Sequence, residues 1–317
     1  MKRPSQHIKF YWQVLKQAGI DFMNDKVLKM SAALAYYTVF SIAPMMIIII
    51  YLCDIFLRRE AIEGTLYKQI QGLVGPEAAL QIQEMIKNAW LSSDVSWATI
   101  IGFITLIIGA TGVFGEIQDS INSIWRLKAK PKKGFIRLII NRLLSFSLII
   151  SVGFIMLVSL ALNGLMELLN ERLFSYFPGV EMVIVYVANI IITFIIISLL
   201  FAIIFKVLPD ARIKWKHVLV GSVATATLFM LGKFGIGFYL GASKIGSTYG
   251  AAGSIVILLL WVYYSSAILY FGAEFTRSYV EKKGCEIIPN DYAIWVKRVE
   301  VASEGVMDES KTAVRKA

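Results

Sequence analysis

The chain has 317 residues, of which 57% are hydrophobic and 17% charged, with 32 Lys and Arg against 22 Asp and Glu and a formal net charge of +10. A soluble domain usually carries about 45–50% apolar and about 25% charged residues. The apolar residues gather in six uncharged runs that leave no room for a large soluble domain, so soluble-enzyme classes are excluded at the outset and a single membrane domain is expected.

The first stretch, residues 1–29, is a cytoplasmic amphipathic segment. Ile8, Tyr11, Trp12, Leu15, Ala18, Gly19 and Phe22 recur at helical spacing, with Lys9 and Lys16 on other faces. Such a helix lies on the membrane surface or packs on the protein's own loops. Then come the runs Met30–Cys53, Val95–Gly115, Leu143–Met166, Met182–Phe205, Val218–Leu240 (broken once, by Lys233) and Ile245–Ala273. Crossing a hydrocarbon core takes about 20 apolar residues, and each run suffices. The expected fold is all-α and polytopic, with a six-helix transmembrane domain over 30–275. Its helices are placed at 30–53, 95–119, 140–166, 182–206, 217–240 and 248–275.

The first run starts late and reads as an uncleaved signal anchor. Pro44 within it predicts a kink, because proline lacks a donor and clashes with the preceding turn, and Ser41 is placed to satisfy a freed carbonyl. The outer loop, 54–94, is expected to be a helical cap, with helices over 62–73 and 77–90 and a turn at Gly75-Pro76. In the second run Gly109, Gly112 and Gly115 share a face and suit close helix packing. Asn163, Asn189 and Thr193 interrupt the third and fourth. Gly232, Gly235, Gly237, Gly241, Gly246, Gly250 and Gly253 crowd one stretch, which suggests close packing, a partly unwound end of the fifth helix, or both. The tail, 276–317, is polar and cytoplasmic, and loose ordering is expected beyond Gly284, with 292–296 able to dock on the membrane surface.

Charge placement sets orientation. The segment before the first run, the turn 126–137, the loop 206–216 and the tail hold 24 of the 32 basic residues. Short basic loops remain in the cytoplasm, so both termini are expected there, in a bacterial inner membrane. The basic surplus reads as orientation and contact with anionic lipid, with no specific nucleic acid partner. Cys53 and Cys285 fall on opposite sides and form no disulfide framework.

Several segments in order carry a family resemblance. They are Ala32-Ala-Leu-Ala-Tyr-Tyr-Thr-Val-Phe-Ser-Ile-Ala-Pro44, Asn122-Ser-Ile-Trp125, Leu208-Pro209 with Trp215, Tyr249-Gly250, Leu260-Trp261-Val-Tyr263 and Gly272-Ala-Glu274. Over roughly residues 10–280 the chain resembles the YihY/BrkB family of bacterial inner-membrane proteins, historically labelled ribonuclease BN. The resemblance implies six helices and cytoplasmic termini. It also implies an ill-defined activity, for which lipid or lipid-like transport has been suggested.

The residues themselves offer little catalytic chemistry. His7 and His217 are far apart, and there is no H-E-x-x-H, Walker A or G-x-S-x-G motif. No enzymatic activity, cofactor or metal is expected, and nuclease activity least of all. Ionisable groups within membrane helices point to function, since burying charge in lipid is costly. Glu116, Asp119, Arg142 and Glu274 are expected at one depth near the inner face, as a charged mouth or a structural salt bridge. Lys233 lies about 22 Å along its helix at 1.5 Å per residue, either snorkelling outward or facing inward to attract an anion. The leading expectation is a transporter or flippase-like carrier of an amphiphilic, lipid-like or anionic solute. Lys233, Glu116, Asp119, Arg142 and Glu274 would line its path, and Pro44, Gly232, Gly235 and Gly237 would act as hinges. The alternative is a non-transporting scaffold that binds lipid or a protein partner.

Overall fold

The structure, a computed structural model, describes residues 4–56, 80, 112–130, 181–242 and 253–297. Its described elements are α1 (Pro4–Asn24), α2 (Val27–Phe56), the stretch α3 (112–124), β1 (Leu127–Ala129), α4 (Glu181–Val207), β2 (Ala211–Arg212), α5 (Trp215–Ala242), α6 (Gly253–Lys282), β3 (Ile288–Pro289) and β4 (Ala293–Trp295). The second and third expected spans lie mostly or wholly outside the described residues, as do the outer-loop helices.

Three described helices are long and apolar enough to cross a membrane, over Val187–Val207, Trp215–Leu240 and Ile255–Lys282. Their outer surfaces carry the mark of lipid contact. Ile191, Ile195 and Leu199 form an exposed stripe along α4, and Leu231, Phe234 and Phe238 do the same on α5. Exposed apolar faces of this extent are rare on proteins surrounded by water. The hydroxyls of Thr38, Ser41, Thr225, Ser266 and Thr276 all donate to the carbonyl four residues back. Polar side chains thereby find partners within their own helix, as an apolar surround requires.

Helix α6 is central and packs against α2, α5 and α1, while α4 packs on α5. Ile117, Ile121, Phe201, Phe205, Tyr270 and Ala273 form much of the shared core. The α5–α6 contact is set by two reciprocal pairs. A Cβ placed on Gly221 would strike the Thr276 side chain, and one on Gly272 would strike Thr225. Each glycine thus seats a threonine of the facing helix, and van der Waals contact of this kind is the main glue between membrane helices. Gly112 works similarly, since its Cβ would sit 3.3 Å from the Tyr37 ring of α2.

The chain is not purely α. Four short strands form two antiparallel pairs, β1 with β4 and β2 with β3. They bind residues 288–295 to the loops following α3 and α4, which corrects the loose order expected beyond Gly284. That glycine, at φ +67°, ends α6. The Cys285 amide donates to the Val280 carbonyl and the Gly284 amide to Glu281, the hydrogen-bond pair of a Schellman cap. The proline expectation also changes. Helix α2 continues through Pro44, and Ser41 bonds the Tyr37 carbonyl. The carbonyl that Pro44 leaves without its amide is that of Phe40, four residues before it. Nor is α5 unwound at its glycines, since it is helical to Ala242.

Candidate functional site

The polar chemistry concentrates at one end of the bundle, where α1 turns into α2, α3 gives way to β1, and α6 nears its end. Two tight turns make this possible. Lys26 and Arg126 have φ of 54° and 59°, a left-handed conformation that non-glycine residues adopt rarely and at a cost. These turns bring Asp25 and Arg126 together.

Asp25 is 4% exposed and Glu274 fully buried. Arg126 meets the Asp25 carboxylate at 2.8 Å, and Arg277 lies 3.7 Å from Asp25 and 3.8 Å from Glu274. Arg277 also donates to Glu281 at 2.8 Å and to the Ile124 carbonyl at 2.9 Å. With Glu281 counted, three carboxyls stand against two guanidiniums, so positive and negative groups balance one another locally. That balance matters because an uncompensated buried charge costs several kcal/mol. The indole N–H of Trp125 donates to the Ala273 carbonyl at 3.1 Å, fixing α3 against α6 beside the charges.

A second assembly lies nearby, around Asp210, which is 1% exposed. Its two oxygens accept from Gln118 and Asn122, each at 2.9 Å, and its own amide donates to the Asn122 side-chain oxygen at 2.8 Å. The Asp210 carbonyl accepts from the Asn290 amide at 2.9 Å. One residue, through its carboxylate, amide and carbonyl, therefore joins α3, the α4–α5 loop and the C-terminal strands.

Beside the first assembly is a cavity of about 480 Å³, walled in part by Trp125, Trp295, the cations Arg126, Arg277 and Lys297, and the carboxylates Glu281 and Glu286. Its size falls in the range of small-molecule sites. The wall is held in place by the β1–β4 pair, by the Val296 amide donating to the Arg126 carbonyl at 2.8 Å, and by the Trp295 indole donating to the Ile287 carbonyl at 2.8 Å.

The structure redistributes the sequence-derived site residues. Glu274 is fully buried, with Arg277 3.8 Å away and Asp25 on the other side of that arginine. Glu116 is half-buried and accepts from Ser120 at 3.2 Å. Asp119 is exposed. Arg142 lies outside the described residues. Lys233 stands away from this end on α5, half-buried, with its ammonium 5.9 Å from the Phe234 ring. Among the hinge candidates, Gly232 is packed against Tyr264 and Ile268, whereas Gly235 has nothing within contact distance. Gly237 is part-exposed within the unbroken helix, and Pro44 is likewise inside continuous helix. Among the described residues no group of three His, Cys, Asp or Glu is placed to hold a metal ion.

Asp25, Gln118, Arg126, Asp210 and Arg277 escaped sequence reasoning. They sit outside or at the ends of the apolar runs, where charge reads as solvated. The available signal was a pattern of short motifs, Asn122-Ser-Ile-Trp125, Leu208-Pro209 and Gly272-Ala-Glu274, whose residues converge at this one end.

A bundle of apolar helices with lipid-type outer faces and a buried polar end defines a membrane protein. The family described as "Virulence factor BrkB" matches residues 20–289, and the chain belongs to that family. The chain is 27% identical over 261 residues to the UPF0761 membrane protein Smlt0865 of Stenotrophomonas maltophilia (strain K279a), covering 81% of this chain and 58% of the relative. It is 26% identical over 260 residues to the UPF0761 membrane protein XAC0937 of Xanthomonas axonopodis pv. citri (strain 306), with the same shares of 81% and 58%. The matched region thus spans less than two thirds of these relatives' length. No solved structure matches the chain.

Proposed function

We propose that this protein is a carrier of an amphiphilic, anionic solute in a bacterial inner membrane, with six membrane helices and both termini in the cytoplasm. The polar end of the bundle then faces the cytoplasm, and the cavity beside Arg126 and Arg277 is its inner vestibule. The observation that carries this reading is the ion-paired group of Asp25, Glu274, Arg126 and Arg277, whose carboxyls are buried and whose two arginines line a 480 Å³ cavity. Charges held inside membrane proteins mark pathways and relays more often than they add stability. Tryptophan faces at Trp125 and Trp295 suit the apolar part of an amphiphile, and the arginines suit its anionic part. Lys233, further along α5, supplies a second cationic station.

Reconstitution into liposomes tests this reading. Flux of anionic lipids or organic anions above that of empty vesicles, reduced in Lys233→Ala and in Arg126→Gln, is the expected result. Flux equal to empty vesicles for every candidate solute would refute it. The interlocked glycines and threonines of α5 and α6 favour a second reading, a rigid scaffold that binds lipid or a protein without moving solute. That reading predicts saturable binding with no flux. Orientation is read separately. A Lys130→Cys variant that also carries Cys53→Ser and Cys285→Ser should resist a membrane-impermeant thiol reagent in intact cells and react after lysis.

A further inference from the structure

A basic and aromatic cluster outside the charge assembly is used by neither reading. Lys214 precedes α5, His217 lies in its first turn, and Lys283 follows α6. His217 and Lys283 meet at Tyr279. Its ring lies 4.6 Å from the Lys283 ammonium, 6.0 Å from the His217 ring, and 6.2 Å from the Tyr11 ring of α1, on which it stacks. Lys214 and Lys283 are both close enough to act electrostatically on His217. Among the described residues neither lysine has a carboxylate within ion-pair distance. The Tyr279 hydroxyl, hydrogen-bonded to it, keeps the Lys283 ammonium above the ordinary lysine value. Three cationic or protonatable groups from two segments, the start of α5 and the end of α6, thus lie near one another, with no carboxylate within ion-pair distance of either lysine among the described residues.

Helix α1 supplies the second observation. Val14 and Ala18 are buried against Phe275 and Tyr279 of α6. The adjoining face, reached past Tyr11, carries Ile8, Trp12, Leu15 and Met23, at 72%, 65%, 38% and 66% exposure. Their spacing of four, three and eight residues makes one continuous stripe, and the exposed Lys9 and Lys16 run along its edge. This is the surface of a helix lying in the plane of a membrane interface. The cluster stands beside it, where one apolar span begins at Trp215 and another ends at Lys282.

We propose that Lys214, His217 and Lys283 around Tyr279 bind the phosphate of an anionic phospholipid whose acyl chains lie against the apolar face of α1. The cations match the headgroup and the adjoining stripe matches the chains, which a free phosphate would not need. The site is independent of transport, and the full-length protein in detergent tests it directly. Retention of phosphatidylglycerol and phosphatidylcholine is compared by native mass spectrometry. Phosphatidylglycerol should be preferred, with about five-fold of that preference lost in Lys214→Gln and again in Lys283→Gln. Trp12→Ala should weaken retention of both lipids. Equal retention of the two lipids by the wild type would overturn the site, as would an unchanged preference in the double lysine variant. Displacement of bound phosphatidylglycerol by millimolar inorganic phosphate would assign the cluster to free anions and overturn the lipid assignment. Both lysines are exposed, so these variants should fold as the wild type does.

Discussion

Exchanging Asp210 and Asn122 gives a sharp test of the polar end. In the wild type Asn122 donates to one Asp210 oxygen, Gln118 donates to the other, and the Asp210 amide donates to Asn122. Asp210→Asn alone sets two side-chain amides facing each other and loses a hydrogen bond to a charged group, worth about 1.5–3 kcal/mol. Asn122→Asp alone sets two buried carboxylates facing each other and should cost at least as much. The double exchange restores every bond, with donor and acceptor reversed only in the side-chain bond between the two positions. The side-chain amide now at position 210 donates to the carboxylate now at position 122. That carboxylate also accepts the backbone amide of position 210, and Gln118 still finds an oxygen. Stability of the double variant should return to within about 1 kcal/mol of wild type, a favourable coupling of at least about 2 kcal/mol. Unfolding measured by steric trapping in bicelles, across all four proteins, reads this directly. Single variants within about 0.5 kcal/mol of wild type, a change typical of surface sites, would refute the geometry, as would a double variant no better than the sum of the singles.

Other outcomes follow from the packing. Gly272→Ala and Gly221→Ala should each lose about 1–3 kcal/mol by overpacking the facing threonine, read as a lower unfolding temperature. Gly235→Ala meets open space and should gain up to about 1 kcal/mol of helix stability; if Gly235 is a working hinge, flux falls while stability rises. Asp25→Ala leaves two guanidiniums partly uncompensated and should cost about 3–5 kcal/mol, whereas Asp25→Ala with Arg126→Met should cost less than the sum of the singles. Gly284→Ala forces a Cβ into a left-handed helix cap and should cost about 1–2 kcal/mol, with the strands beyond it exchanging amide protons faster.

Membrane character was legible in the chain because lipid imposes a local rule. About 20 apolar residues in succession suffice, whatever they touch, so the spans over 187–207, 215–240 and 255–282 were visible from composition alone. Helical periodicity likewise revealed α1, and Gly112 revealed a close helix contact. What composition does not encode is which polar residue meets which. Asp210 and Asn122 are 88 positions apart, and Trp125 and Ala273 are 148 apart. Their types are ordinary for solvated loops, and burial exists only once α3, α6 and the C-terminal strands close over them. Glu274 was singled out for lying in an apolar helix, but the Asp25–Arg126 pair near it comes from two left-handed turns whose meeting no local pattern dictates. Lipid exclusion acts residue by residue and is written in the sequence, whereas charge pairing acts through space and is settled only when the helices pack.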